Sequence, residues 1–237
     1  SETTVHLVIF GKNDLVEALG INAALVAHYP NYCRDHRLRT RISIVADDIY
    51  EWKDQLIQRY QHLFDNSYYR IINLEEENPH CLCHQPMYGK TREDFVDVEW
   101  EFVNGNLRND ALRTKLSEWG KSENQQLTVA ICTDDQQRNF IEAFTLPEEL
   151  YKNQIPVLCY TEESDMMNLI KNDDRYQTVL PFGSYICQKG ILESLKQLAK
   201  RVNYVYNYCF SLPHNVPISS PSVIDESKLD CLWAQVG

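Results

Sequence analysis

Val5-His6-Leu7-Val8-Ile9-Phe10-Gly11-Lys12-Asn13-Asp14, followed by Leu15, Leu19, Ala23, Val26 and Ala27, decides the reading of this chain. The first six residues are apolar apart from His6, as in a strand covered on both faces. Gly11 ends that run where a tight turn needs a residue without a Cβ. The apolar positions that follow recur at helical spacing. Strand, glycine turn and helix, in that order, open the α/β domains that hold dinucleotides.

The same grammar repeats downstream. Arg41–Ala46 is a second buried strand and ends in Asp47-Asp48. Ile49–Phe64 reads as one helix, with Trp52, Leu56, Tyr60, Leu63 and Phe64 on one side. Tyr68–Leu74 reads as a short extra strand. Residues 75–95 hold Glu75-Glu76-Glu77, Pro79, Pro86 and Gly89 without a period, and read as an inserted loop. Val96–Val103 alternates as a half-buried strand does, and Ala111–Trp119 is helical. Leu127–Cys132, Ile155–Tyr160 and Gln177–Leu180 complete the strands, with a helix around Met166–Ile170 between the last two.

This order predicts a doubly wound, mostly parallel Rossmann-like α/β sheet, helices on both faces, for residues 1–183. A long helix, Ile186–Phe210, is expected within 184–211, packed on that domain or on a partner. Residues 212–237 read as a proline-containing linker and the start of a further region, because Leu229, Leu232, Trp233 and Val236 need a surface to pack on. The expected partner is therefore an attached downstream domain or a second copy in a homodimer. The start at Ser1 suggests processing, a tag remnant or excision from a longer chain.

The 237 residues are 43% hydrophobic and 24% charged, which is ordinary for a globular protein. Lys and Arg number 23 against 34 Asp and Glu, a formal charge of −11. Such a surface repels nucleic acid and anionic lipid. No apolar run is long enough for a membrane span. Arg34–Arg41 is a local basic stretch, either a phosphate or acidic-partner site or a solvated connector. The eight cysteines, several inside apolar patterns, read as reduced thiols, which places the chain in a cytoplasm.

The nucleotide fingerprint G-x-G-x-x-G aligns on Gly11, with Asn13 and Val16 at its second and third glycine positions. Asn13 tolerates left-handed backbone angles but puts a side chain in the phosphate's path. Val16 is expected to push the helix outward. Asp14 sets a negative charge at the helix N-terminus, where a pyrophosphate would sit. Asp47 is either a ribose acceptor or a helix cap, a role open equally to Asp48. Asn104-Gly105-Asn106 and Thr133-Asp134-Asp135 follow strands and fall at the ligand edge of a parallel sheet. Capping alone accounts for Thr133 and Asp134.

Phe102-Val-Asn-Gly105-Asn106-Leu-Arg-Asn-Asp110-Ala-Leu112 and Ala130-Ile-Cys-Thr133-Asp134-Asp135 resemble the third and fourth strand exits of TrkA-N domains. These are the NAD-binding Rossmann units of potassium-uptake regulators and of regulator-of-conductance domains. Ile155-Pro-Val157 and Leu180-Pro181 are similar as well. The resemblance covers Val5–Pro181 without the insertion and departs at Asn13, Val16 and Asn106, where the family has Asp. It implies a non-enzymatic nucleotide-sensing or scaffolding module, with NAD or another adenine nucleotide contacted by Gly11, Asn13, Asp14, Asp47, Asn106, Thr133 and Asp134. The chain also resembles large bacterial proteins in which such a unit precedes a ryanodine-receptor-like domain. The alternatives are a fragment of an NAD(P)-dependent oxidoreductase and a structural interaction domain without ligand.

His80, Cys81, Cys83 and His84 offer two thiols and two imidazoles within five residues. They are either metal ligands or a plain surface loop, since Cys-x-Cys is tighter than the usual zinc knuckle. No G-x-S-x-G elbow or other nucleophile motif is present.

Overall fold

The opening apolar run forms β1, Thr4–Phe10, and the other apolar runs line up beside it in one sheet. A computed structural model describes residues 3–74, 82–86, 95–162 and 173–183. The remaining strands are β2 (Thr40–Ala46), β3 (Tyr68–Asn73), β4 (Leu82–His84), β5 (Val98–Asn104), β6 (Gln125–Ile131), β7 (Val157–Thr161) and β8 (Val179–Gly183). Their spatial order is β4-β3-β5-β2-β1-β6-β7-β8. All neighbours pair in parallel except β3 with β4.

The run β5-β2-β1-β6-β7-β8 is the 3-2-1-4-5-6 order of dinucleotide folds. The fold is therefore the doubly wound Rossmann-like α/β type. β3 and β4 extend that frame outward from β5. The chain divides into two units, Ser1–Gly183 and Ser184–Gly237. The second unit lies outside the described residues, as do the expected helices at Met166–Ile170 and Ile186–Phe210.

Helices cover both faces because successive strand residues point to opposite sides. They are α1 (Asp14–Val26), α2 (Asn31–Arg34), α3 (Ile49–Arg59), α4 (Gln61–Asp65), α5 (Asp110–Lys121), α6 (Gln136–Phe144) and α7 (Glu148–Lys152). Val16, Ala24, Leu56 and Phe64 pack with Ile9, Ile44 and Trp100 on one face. Leu112, Leu116, Ala143 and Leu150 pack with Val8, Val45 and Val129 on the other.

Three local readings are corrected. The single helix expected over Ile49–Phe64 is two, broken at Tyr60. Arg59 and the Tyr60 hydroxyl both reach Glu17 of α1, at 2.6 and 2.9 Å, and the break turns Leu63 and Phe64 into the core. The segment 75–95 is not all loop: Leu82–His84 pairs antiparallel with β3.

The strand expected to be half-buried is interior and lies between β2 and β3. Its alternating Glu99 and Glu101 face arginines, not water. Arg41 and Arg70 both pair with Glu99 and Glu101.

Glu101 is only 1% exposed. Arg70 Nε donates to it at 2.8 Å and the Ser43 hydroxyl at 2.6 Å. His6 Nε2 lies 2.8 Å from Ser43 Oγ. Burial alone would raise the Glu101 carboxyl, but Arg41, Arg70, Ser43 and His6 outweigh it and hold it below the usual range. Burial lowers the His6 imidazole to about 4, so it is neutral at pH 7.

The unfolded chain therefore binds more protons than the folded one between about pH 6.5 and 4, and stability should fall as pH drops through that window. The ceiling of the His6 contribution is about 3 kcal/mol. Glu101 adds a loss of the same sign at lower pH. Urea unfolding at pH 7 and pH 4.5 is expected to show a larger drop for the native chain than for His6→Asn, and equal drops would contradict the assignment.

Candidate functional site

The carboxyl ends of β1 and β6 mark the point where strand order reverses, and there the sheet opens a crevice of about 280 Å³. Gly11, Lys12, Asp47, Asn106, Thr133 and Asp134 are among its walls. Gly11 has φ 127°, and a Cβ there would stand 2.7 Å from the Cys132 carbonyl oxygen. Its N–H donates to Val45 O at 3.0 Å, and Cys132 N–H donates to Phe10 O at 2.8 Å. One residue thus joins the exits of β1, β2 and β6.

Asn13 is the N-cap of α1 with φ −133°, extended and not left-handed as its residue type allowed. Its side chain makes three bonds. Oδ1 accepts from Val16 N–H at 3.0 Å, and Nδ2 donates to Cys132 O at 2.8 Å and to Asp134 Oδ1 at 2.7 Å. Asp14 is exposed in the first turn of α1, which also carries Glu17.

Val16 does not push the helix away. It is fully buried against the sheet. The close approach of helix to strand is made one turn later by Gly20, where a Cβ would meet the Trp100 ring at 3.3 Å. Gly20 was missed because the fingerprint fixes its third glycine at position 16. The signal was a second small residue four positions on, on the same helix face.

Asp47 stands at the end of β2, where Asn106 Nδ2 donates to its Oδ1 at 2.7 Å. Lys12 Nζ donates to the carbonyls of Asp47 and Asp48 at 2.7 and 3.2 Å. Asp48 occupies the N-cap position of α3 with φ 48°, but its side chain makes no capping bond. Neither carboxylate is therefore the cap.

At the β6 exit, the cap of α6 is Asp135, which accepts from Arg138 N–H at 3.0 Å. Thr133 and Asp134, read as caps, do other things. Thr133 Oγ1 donates to Asn139 Oδ1 at 2.5 Å, and Asp134 holds Asn13. Asn139, wholly buried, also donates to the carbonyls of Thr133 and Tyr160. It fixes the loop between β6 and α6 and has no local sequence signal, being a polar residue on the inner face of a helix.

Arg138 also lines the crevice, and its Nε donates to Glu142 at 2.6 Å. That bond, with the Glu142, Asp47 and Asp135 charges behind it, raises the guanidinium above its ordinary value despite partial desolvation. Burial pushes the thiols of Cys132 and Cys159 up to about 12 and about 11, which keeps them protonated and unreactive.

Of the four candidate metal ligands, His80 and Cys81 lie outside the described residues, and so does the Cys83 side chain. His84 stacks on Tyr69 with ring centroids 4.5 Å apart. Among the described residues no cluster of three metal-binding side chains forms, and no helix is long and apolar enough to cross a membrane.

A larger cavity, about 500 Å³, sits at the amino ends of β7 and β8, between Phe144, Tyr151 and Tyr176. Its charged groups pair with neighbours at the surface. The Tyr151 hydroxyl donates to Ala143 O and accepts from Leu146 N–H, Lys152 pairs with Glu148 and Arg175 with Asp173. The crevice at the switch point is the better site because it lies at the carboxyl ends of the strands, where strand order reverses.

Compared with known proteins, the chain matches no family model and no curated sequence.

Gly11→Ala should cost about 1–3 kcal/mol, because alanine strains the positive φ and meets a backbone carbonyl. Gly20→Ala should cost less, since only the Trp100 ring must yield. Urea midpoints of the two variants would test this ranking, and a milder Gly11 variant would break it.

Proposed function

We propose that residues 3–183 form a non-enzymatic regulatory module of the TrkA-N kind, a nucleotide sensor or scaffold with weakened NAD(H) binding. The observation that carries this reading is the crevice at the switch point. A glycine turn, a carboxylate at the end of β2 and the Asn106 and Thr133 turns meet around one cavity. The strand order and the turn positions agree with the resemblance seen in the sequence. Ribose hydroxyls would donate to Asp47, whose Oδ1 is already oriented by Asn106.

A ligand closing this crevice would tie the exits of β2, β5 and β6 together. That difference between ordered and open loops is what an attached domain or second copy could read. Adenosine, ADP, ATP, NAD and NADH, each added to the full chain in a thermal-shift experiment, test the reading. A ligand at 100 times its dissociation constant adds about 2.7 kcal/mol, a rise of roughly 5–10 °C for a domain of this size. Asp47→Ala should remove the shift while leaving the unliganded midpoint within about 0.5 kcal/mol, as for an exposed side chain. Silence from all five compounds at millimolar concentration would leave only a structural role.

A further inference from the structure

We infer that the crevice selects a ribonucleoside whose 5′ substituent is uncharged or cationic, and rejects the phosphorylated forms. This rests on the crevice being a nucleotide-type ligand site and specifies which part of a nucleotide it takes. In dinucleotide folds the pyrophosphate passes over the glycine turn to the N–H groups of the following helix. Here Asn13 follows that turn, with its side chain bonded to Val16 N–H, Cys132 O and Asp134. The first-turn donor that a phosphate would use at Val16 is therefore taken by an amide oxygen.

The charges point the same way. The crevice is lined by two cations, Lys12 and Arg138, and four carboxylates, Asp47, Asp134, Asp135 and Glu142. Lys12 Nζ donates to two backbone carbonyls, and Arg138 Nε to one of the carboxylates, Glu142. Asp134, bonded to Asn13, stands beside the helix N-terminus whose dipole would otherwise attract an anion. A phosphate entering here would meet two more carboxylates than cations. A 5′-hydroxyl or an ammonium-bearing tail would find acceptors instead.

Size agrees as well. About 280 Å³ lies just below the range for small-molecule sites, about 300–1,000 Å³. It is of a size to take a nucleoside. Asp47 supplies the ribose end: one oxygen is fixed by Asn106, and the other remains to accept from the diol.

Calorimetric titration of the full chain with adenosine, 2′,3′-dideoxyadenosine, AMP, ADP and NAD tests the inference. Adenosine should bind about tenfold or more tightly than AMP or ADP, and the dideoxy compound should lose about tenfold. Raising salt should strengthen AMP binding, because it screens repulsion, and leave adenosine unchanged. Asp134→Asn keeps the acceptor for Asn13 but removes the charge, so it should narrow the gap between adenosine and AMP about fivefold. If that variant fails to fold, the salt series on the native chain decides. AMP or NAD binding as tightly as adenosine would overturn this selectivity and leave the ligand crevice standing. Absence of binding by all five would overturn both.

Discussion

The approach of Gly11 to the carbonyl of Cys132 is the constraint on which the rest of the domain rests. At 2.7 Å from that oxygen there is no room for a Cβ. The turn lets β1 stop, α1 start and β6 lie alongside without a gap. Backbone bonds from Gly11 to Val45 and from Cys132 to Phe10 then bring three strand ends to one level. The crevice is what remains between them. Its position follows from the reversal of strand order.

Asn13 couples stability to selectivity at the same place. As the α1 cap it supplies one of the orphan N–H groups with an acceptor, a contribution of about 1 kcal/mol in helices generally. Its amide also binds the β6 exit through Cys132 and Asp134. A glycine there would open the phosphate passage and forfeit both ties. The chain holds its first helix firmly at the expense of the group that a dinucleotide needs most, and Gly20 adds a close approach to the sheet one turn beyond the buried Val16.

Much of this was legible beforehand. Runs such as Leu127–Cys132 are apolar at every residue but Thr128, and only a strand covered on both faces makes sense of them. That Asp47, Asn106 and Thr133 share one crevice was legible because each follows a strand. The failures have physical causes. Glu99 and Glu101 alternate with apolar residues as an exposed edge would, and nothing local shows that Arg41 and Arg70 arrive from other strands to neutralise them. Tyr60 fits the apolar period of a helix, but its hydroxyl and the neighbouring Arg59 are drawn to Glu17 of another helix. Which of three adjacent polar residues caps α6 depends on backbone geometry that composition does not encode.

The buried row of His6, Ser43, Glu101 and Arg70 has a consequence for how the two added strands find their place. Edge strands are prone to slide, and a slip of one residue sends every side chain to the opposite face. Arg70 stands directly across from Glu101, and Glu101 across from Ser43. Misaligning β3 by one step would carry the guanidinium away and leave the buried carboxylate to Arg41 and Ser43 alone. The ionic row thus serves as an alignment key: it admits one docking of the β3–β4 hairpin onto a six-strand frame whose order does not otherwise include it.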